Sequence, residues 1–166
     1  MLVDLLGSHF NLHFVEISGL GKVTLSDLEP GLSSCTHLVY GYAGINAESK
    51  KVVSLNPSQD LDQGKGLYRL TTQLKRKFPG LKVLLGVGGD AEHAPEKYLE
   101  LLETSPARIS FINSAYELIK SYEFDGLDLA YEFPKIKPKK NRSTFGKLES
   151  LQTMFILKSI LMMCLL

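Results

Sequence analysis

Two cysteines in 166 residues, Cys35 and Cys164, are too few for a disulfide framework. Charge of one sign is also lacking. The net charge is +1, so no global field draws the chain to nucleic acid, and the basic residues gather locally instead. Long apolar runs are missing: the longest in the C-terminal tail, Ile160 to Leu166, falls far short of the ~20 residues that span a bilayer. The N-terminus, Met1-Leu-Val-Asp-Leu-Leu-Gly-Ser-His9, carries an acid at Asp4 and no basic segment, which makes it a poor secretory signal. Gly19-Leu-Gly-Lys-Val-Thr24 resembles a phosphate loop only superficially, because no glycine stands five residues before Gly21 and Val23 follows Lys22. Among His9, His13, His37 and His93 only the first two stand at i, i+4, without an acid ligand. No metal site and no cofactor are expected.

What is present suits one soluble domain with a real core: 44% hydrophobic and 22% charged residues. Thr36 to Ile45, rich in β-branched and aromatic residues, predicts a buried strand. Asn46 to Leu61 is expected to be an excursion loop with a short strand at Lys51-Val-Val-Ser-Leu55. Leu67, Leu70, Leu74 and Phe78 stand near helical spacing, Lys75, Arg76 and Lys77 favour the C-terminal end of that helix, and Pro79-Gly80 stops it. Leu81 to Gly89 is a short apolar strand ending in glycines. Pro95 to Glu103 and Pro106 to Ser121 predict helices, the second with an apolar stripe of Ile109, Ile112, Ala115, Leu118 and Ile119. Residues 1 to 20 are the least interpretable, although Phe10, Leu12 and Phe14 alternate with Asn11 and His13 as in a strand. Strands alternating with helices argue a parallel α/β architecture.

The most informative stretch is Phe124 to Pro134. As a strand it points Leu127, Leu129, Tyr131 and Phe133 to one face and Asp128, Ala130 and Glu132 to the other. Pro134 cannot donate to a ladder, so Glu132 falls at the carboxyl end, where parallel α/β folds place their chemistry. The residues alone leave Glu132 open between a general acid and a salt-bridged structural acid. Asp125 is open in the same way, since it stands near a helix or strand junction.

Asp125-Gly126-x-Asp128-x-Ala130-x-Glu132 resembles the family 18 glycoside hydrolase signature, Asp-Gly-x-Asp-x-Asp-x-Glu, with Ala130 in place of the third Asp. Gly126-Leu-Asp-Leu-Ala-Tyr131 and the following Pro134-Lys-x-Lys-Pro-Lys139 are similar to the imaginal disc growth factors, insect chitinase-like proteins. Gly21 to Pro30, the Thr36 strand and the Gly88-Gly89 strand end follow in the family's order, with Gly86 where the family has Ser. The resemblance covers about residues 19 to 140. It implies a partial (β/α)8 barrel, roughly its first four strands, over residues 1 to 147, and a divergent apolar tail over 148 to 166. It also implies an extracellular protein. The family's cysteine before the second strand pairs with one in the first strand, and no cysteine precedes Cys35 here.

Family 18 chemistry uses the substrate's own acetamido group as nucleophile and one Glu as acid. The resemblance therefore implies Glu132 as the catalytic residue and Asp125, Asp128, Tyr131, Gly88 and Gly89 as substrate-binding residues. At ~3.3 Å per residue, i and i+2 lie ~6.6 Å apart on one face and i and i+4 ~13 Å, so Asp128 cannot touch Glu132. Ala130 removes the link between them, and losing one positioned electrostatic partner commonly costs ~10²–10³ in rate. The expectation is a chitinase-like protein that binds chitin or N-acetylglucosamine oligomers with little or no hydrolysis. An active chitinase fragment and a truncated product without function are the alternatives. Lys135, Lys137, Lys139, Lys140 and Arg142 read first as a solvated loop and second as a surface for acidic glycans or a cell-surface receptor. Asn141-Arg-Ser143 is a glycosylation acceptor pattern, meaningful in a secreted chain.

Overall fold

Strands join the sheet in the order in which the chain makes them. The structure, a computed structural model, describes residues 3–5, 10–13, 24–89 and 95–130. Strand β1 (Val3–Leu5) pairs antiparallel with β2 (Phe10–His13). Helix α1 (Leu25–Leu32) leads to β3 (His37–Ile45), which lies parallel to β2. The short β4 (Val52–Ser54) folds back on β3, and a helical turn α2 (Pro57–Asp60) precedes helix α3 (Leu67–Lys77). Strand β5 (Lys82–Gly88) then lies parallel to β3, and helices α4 (Pro95–Glu103) and α5 (Ser105–Tyr122) carry the chain to β6 (Gly126–Ala130), parallel to β5. Each crossover thus returns the chain to the next position on the same side. That is the winding of a barrel, not of a doubly wound sheet.

The sheet has one face filled by helices. Leu38 and Tyr40 of β3 and Val83, Leu85 and Val87 of β5 are buried in one cluster with Leu28 and Leu32 of α1, Tyr68 and Leu74 of α3, and Phe111, Ala115 and Ile119 of α5. Because side chains alternate, Val39, Leu84, Gly86 and Gly88 belong to the other face. Tyr68 anchors the aromatic part of the core, with edge-on contacts to Tyr40, Tyr122 and Phe124 at ring-centroid distances of 4.9, 5.2 and 5.5 Å. Such pairs add ~0.5–1.5 kcal/mol each beyond the area they bury.

The expected excursion after β3 is pinned at both ends. Buried Asp60 accepts a 2.5 Å hydrogen bond from the Tyr40 hydroxyl and another from the Ser54 hydroxyl. Burial, then the Asp60 carboxylate beside it, pushes the Tyr40 hydroxyl above the ordinary tyrosine range. Ser114 of α5 accepts from the Val52 N–H at 2.8 Å, and the Ser110 hydroxyl donates to the Ser49 carbonyl at 2.6 Å.

The predicted stripe of α5 holds except at one residue. Ala115 and Ile119 are buried and Ile112 and Leu118 pack against the core, together with Ala107 and Phe111, whereas Ile109 is 55% exposed. Ser110 and Ser114 hold the hairpin from the same helix. A second difference is α1, which apolar spacing does not announce. A capping box does: the Asp27 carboxylate accepts from both the backbone N–H and the hydroxyl of Thr24 at 2.7 Å. Cys35, the free cysteine of the described residues, donates its thiol to the Gly31 carbonyl, and burial pushes its pKa up.

Candidate functional site

The inner face of the sheet narrows to small residues toward the carboxyl ends of β5 and β6. Their register pairs Leu84 with Gly126, Gly86 with Asp128, and Gly88 with Ala130. The first rung is apolar: a Cβ on Gly126 would meet the Leu84 side chain at 3.2 Å. The second sets the half-buried Asp128 opposite a residue without a side chain. At the third, the methyl of Ala130 faces Gly88, so no carboxylate stands one step beyond Asp128 on this face. The strand therefore directs Asp128 and Ala130 as the spacing predicts, with Leu127 packed against the helical core.

Gly88 and Gly89 close the site from the β5 side, and both need to be glycine. Gly88 has φ +108, and a Cβ there would lie 3.0 Å from the Tyr98 hydroxyl and 3.3 Å from the Ala130 carbonyl. Gly89 has φ +64, and a Cβ there would overlap the Tyr42 ring. Thus Asp128, Ala130, Gly88 and Gly89 converge on one end of the sheet.

Asp125 is not brought together with them. It precedes β6 at the opposite, amino-terminal end, five residues and ~16 Å of extended chain from Ala130. Its carboxylate accepts from the Val83 N–H at 2.8 Å and pairs with Lys75 at 3.1 Å and Lys82 at 3.5 Å, while its own N–H donates to the Val83 carbonyl at 2.7 Å. These contacts stitch β6 to β5 and to α3. They fit the junction role that the residues left open. Glu132, Tyr131 and Asn141 lie outside the described residues, as do the basic stretch from Lys135 to Arg142 and the tail from 148 to 166.

Tyr42 is a residue of this face that its spacing conceals. By simple alternation it would share the helix-facing side with Leu38 and Tyr40. The register of β3 on β5 shifts between Tyr40, opposite Leu85, and Ala43, opposite Val87. Two residues of β3 therefore stand against Gly86 alone, and the bulge turns Tyr42 to the inner face while Ala43 and Ile45 continue the core. One edge of its ring lies over Gly86 and the other over Gly89. The paired glycines Gly41 and Gly44 were the one signal in the sequence that β3 is irregular here.

Comparison with known proteins identifies the family. The family described as "Glycosyl hydrolases family 18" matches residues 12–159. The chain is 62% identical over 132 residues to chitinase-like protein Idgf4 and 56% identical over 138 residues to imaginal disk growth factor 6, both of Drosophila melanogaster. Each match covers 78% of this chain, which spans 30% of the length of either relative. Among solved structures, the Group IV chitinase of Ostrinia furnacalis in complex with allosamidin superposes with a TM-score of 0.69 at 33% identity, over 87% of this chain and 40% of that one. Human YKL-39, described as a pseudo-chitinase with retained chitooligosaccharide binding properties, superposes with a TM-score of 0.63 at 29% identity, over 89% of this chain and 38% of that one. The parallel strands β2, β3, β5 and β6 are thus the first four of a (β/α)8 barrel, open among the described residues, and the chain belongs to the glycosyl hydrolases of family 18.

Proposed function

We propose that this chain is part of a secreted, chitinase-like growth factor that binds chitin or N-acetylglucosamine oligomers and hydrolyses them little or not at all. The observation that carries this reading is the rung of Gly88 and Ala130. A substrate acetamide over that rung meets a methyl group where a carboxylate would accept its N–H and stabilise the positive charge of the intermediate. Asp128 is one rung back, and four residues of extended chain span ~13 Å. Asp128, Gly88 and Gly89 remain to hold the sugar, and Tyr131 follows Ala130 in the chain. The similarity to YKL-39, a pseudo-chitinase that retains oligosaccharide binding, supports the separation of binding from hydrolysis.

Glu132 favours a second reading, an active chitinase with this residue as the general acid. One experiment separates the two. In the full-length protein, tetra-N-acetylchitotetraose is expected to bind without appreciable cleavage, and Ala130→Asp is expected to raise hydrolysis by about 10²–10³-fold. Brisk cleavage by the unmodified protein would establish the second reading instead. In a secreted protein Asn141 would carry a glycan, and the basic stretch from Lys135 to Arg142 would be available to a cell-surface receptor. Mass spectrometry of the secreted protein tests the first of these. No helix of the described residues is long and apolar enough to cross a membrane.

A further inference from the structure

Every strand of a closed (β/α)8 barrel has a parallel neighbour on each side, and the seam closes when the eighth strand joins the first. The first parallel strand of this chain is β2, and on one side it pairs with β3, from Phe10 opposite Leu38 to His13 opposite Gly41. Its other side is already occupied. Strand β1 pairs there antiparallel, with Val3 opposite Leu12, Asp4 opposite Asn11 and Leu5 opposite Phe10. The direction follows from the connection: residues 6–9 are enough for a hairpin, whereas a parallel return needs about a dozen residues or more. β1 therefore cannot serve as a barrel strand, yet it lies along the edge that the eighth strand requires. The opposite end of the sheet has no such cover, since β6 pairs with β5 alone among the described residues.

We infer that β1 is a placeholder at the seam of the barrel: it covers the edge of β2 until the eighth strand arrives, and it leaves that edge when the barrel closes. A bare edge of unpaired N–H and C=O groups is a template for pairing with another chain. The amino-terminal part of a chain is made and folds first, so the edge of β2 is the one that waits longest for its barrel neighbour. The edge of β6 waits least, because the strand that belongs there is the next to be made. A strand of three residues suits this task. It satisfies part of the edge with few hydrogen bonds, which a longer parallel strand can displace. The device is independent of what the barrel binds.

Cysteine trapping at two chain lengths tests this, with Val3→Cys and Leu12→Cys introduced together. Directly opposed residues of an antiparallel pair lie ~4.5–5.5 Å apart at Cα, within the span of a disulfide. In a glutathione redox buffer the 166-residue chain is expected to form the bridge between positions 3 and 12, located by peptide mass mapping. In the folded full-length protein the same two cysteines are expected to stay unbridged to each other, because the eighth strand has displaced β1. Amide hydrogen exchange gives a second measurement. Deleting residues 1–8 from the 166-residue chain should speed exchange at the β2 amides that face β1 by about tenfold or more. The same deletion should leave those amides unchanged in the full-length protein, where the eighth strand covers them. A bridge that forms at both lengths, or at neither, would overturn the inference. So would β2 amides whose protection depends on residues 1–8 in the full-length protein, or does not depend on them in the 166-residue chain.

Discussion

The two faces of one sheet differ in what they ask of each residue. On the helical face Val83, Leu85 and Val87 of β5 are completely buried, and their neighbours fill the space around them. On the inner face the alternate positions of the same strand are Leu84, Gly86 and Gly88, opposite Gly126, Asp128 and Ala130. The first face gains stability from volume. The second gives it up, keeping side chains short so that one ring and one carboxylate can stand where a ligand could reach them. Stability is thus drawn from one side of these short strands, and the proposed sugar site from the other.

That contrast can be broken at several points. The largest effect is expected from Phe111→Ala, which empties the middle of the helical face and should cost ~3–5 kcal/mol in denaturant unfolding. Asp125→Ala comes next, since it orphans the Val83 N–H and frees Lys75, at ~1–3 kcal/mol. Oligosaccharide affinity should survive that change in whatever fraction remains folded, because Asp125 sits at the other end of the strand. Asp128→Asn inverts the pattern: little change in unfolding, but oligosaccharide affinity reduced by roughly tenfold through loss of a charged acceptor. If Asp125→Ala and Asp128→Asn changed stability and binding alike, the division between the two ends of β6 would not hold.

The smallest effect is expected at the α1 capping box. The Thr24 hydroxyl and N–H hold the Asp27 carboxyl below its ordinary value of 3.8. A depressed folded-state pKa contributes stability at pH values above 3.8 that is lost as the pH falls through the folded value. Replacing Asp27 with Asn should therefore lower stability slightly at neutral pH, leave it nearly unchanged at low pH, and so flatten the acid end of the stability profile. A variant that loses as much stability below pH 3.8 as above it would contradict the cap.

Much of the architecture lay in local pattern. Residues 95 to 103 form a helix within the boundaries expected for it, and the β-branched run after Thr36 became β3 nearly end to end. Period-two alternation also placed Asp128 and Ala130 on the face opposite Leu127, because one strand of five residues obeys its own geometry. The signature residues announced the family for the same reason: they are close together in the chain.

What the chain order could not decide depends on partners far away in sequence. Asp125 stands inside the signature, but its role is settled by Val83, 42 residues earlier, whose N–H it satisfies. The serines of α5 reach the hairpin some 60 residues upstream, a contact invisible to helical periodicity. Tyr42 went to the inner face only because β3 takes one more residue than β5 between two fixed rungs. Alternation along a strand is a property of the strand; a bulge is a property of the pair, and only the folded sheet contains both members.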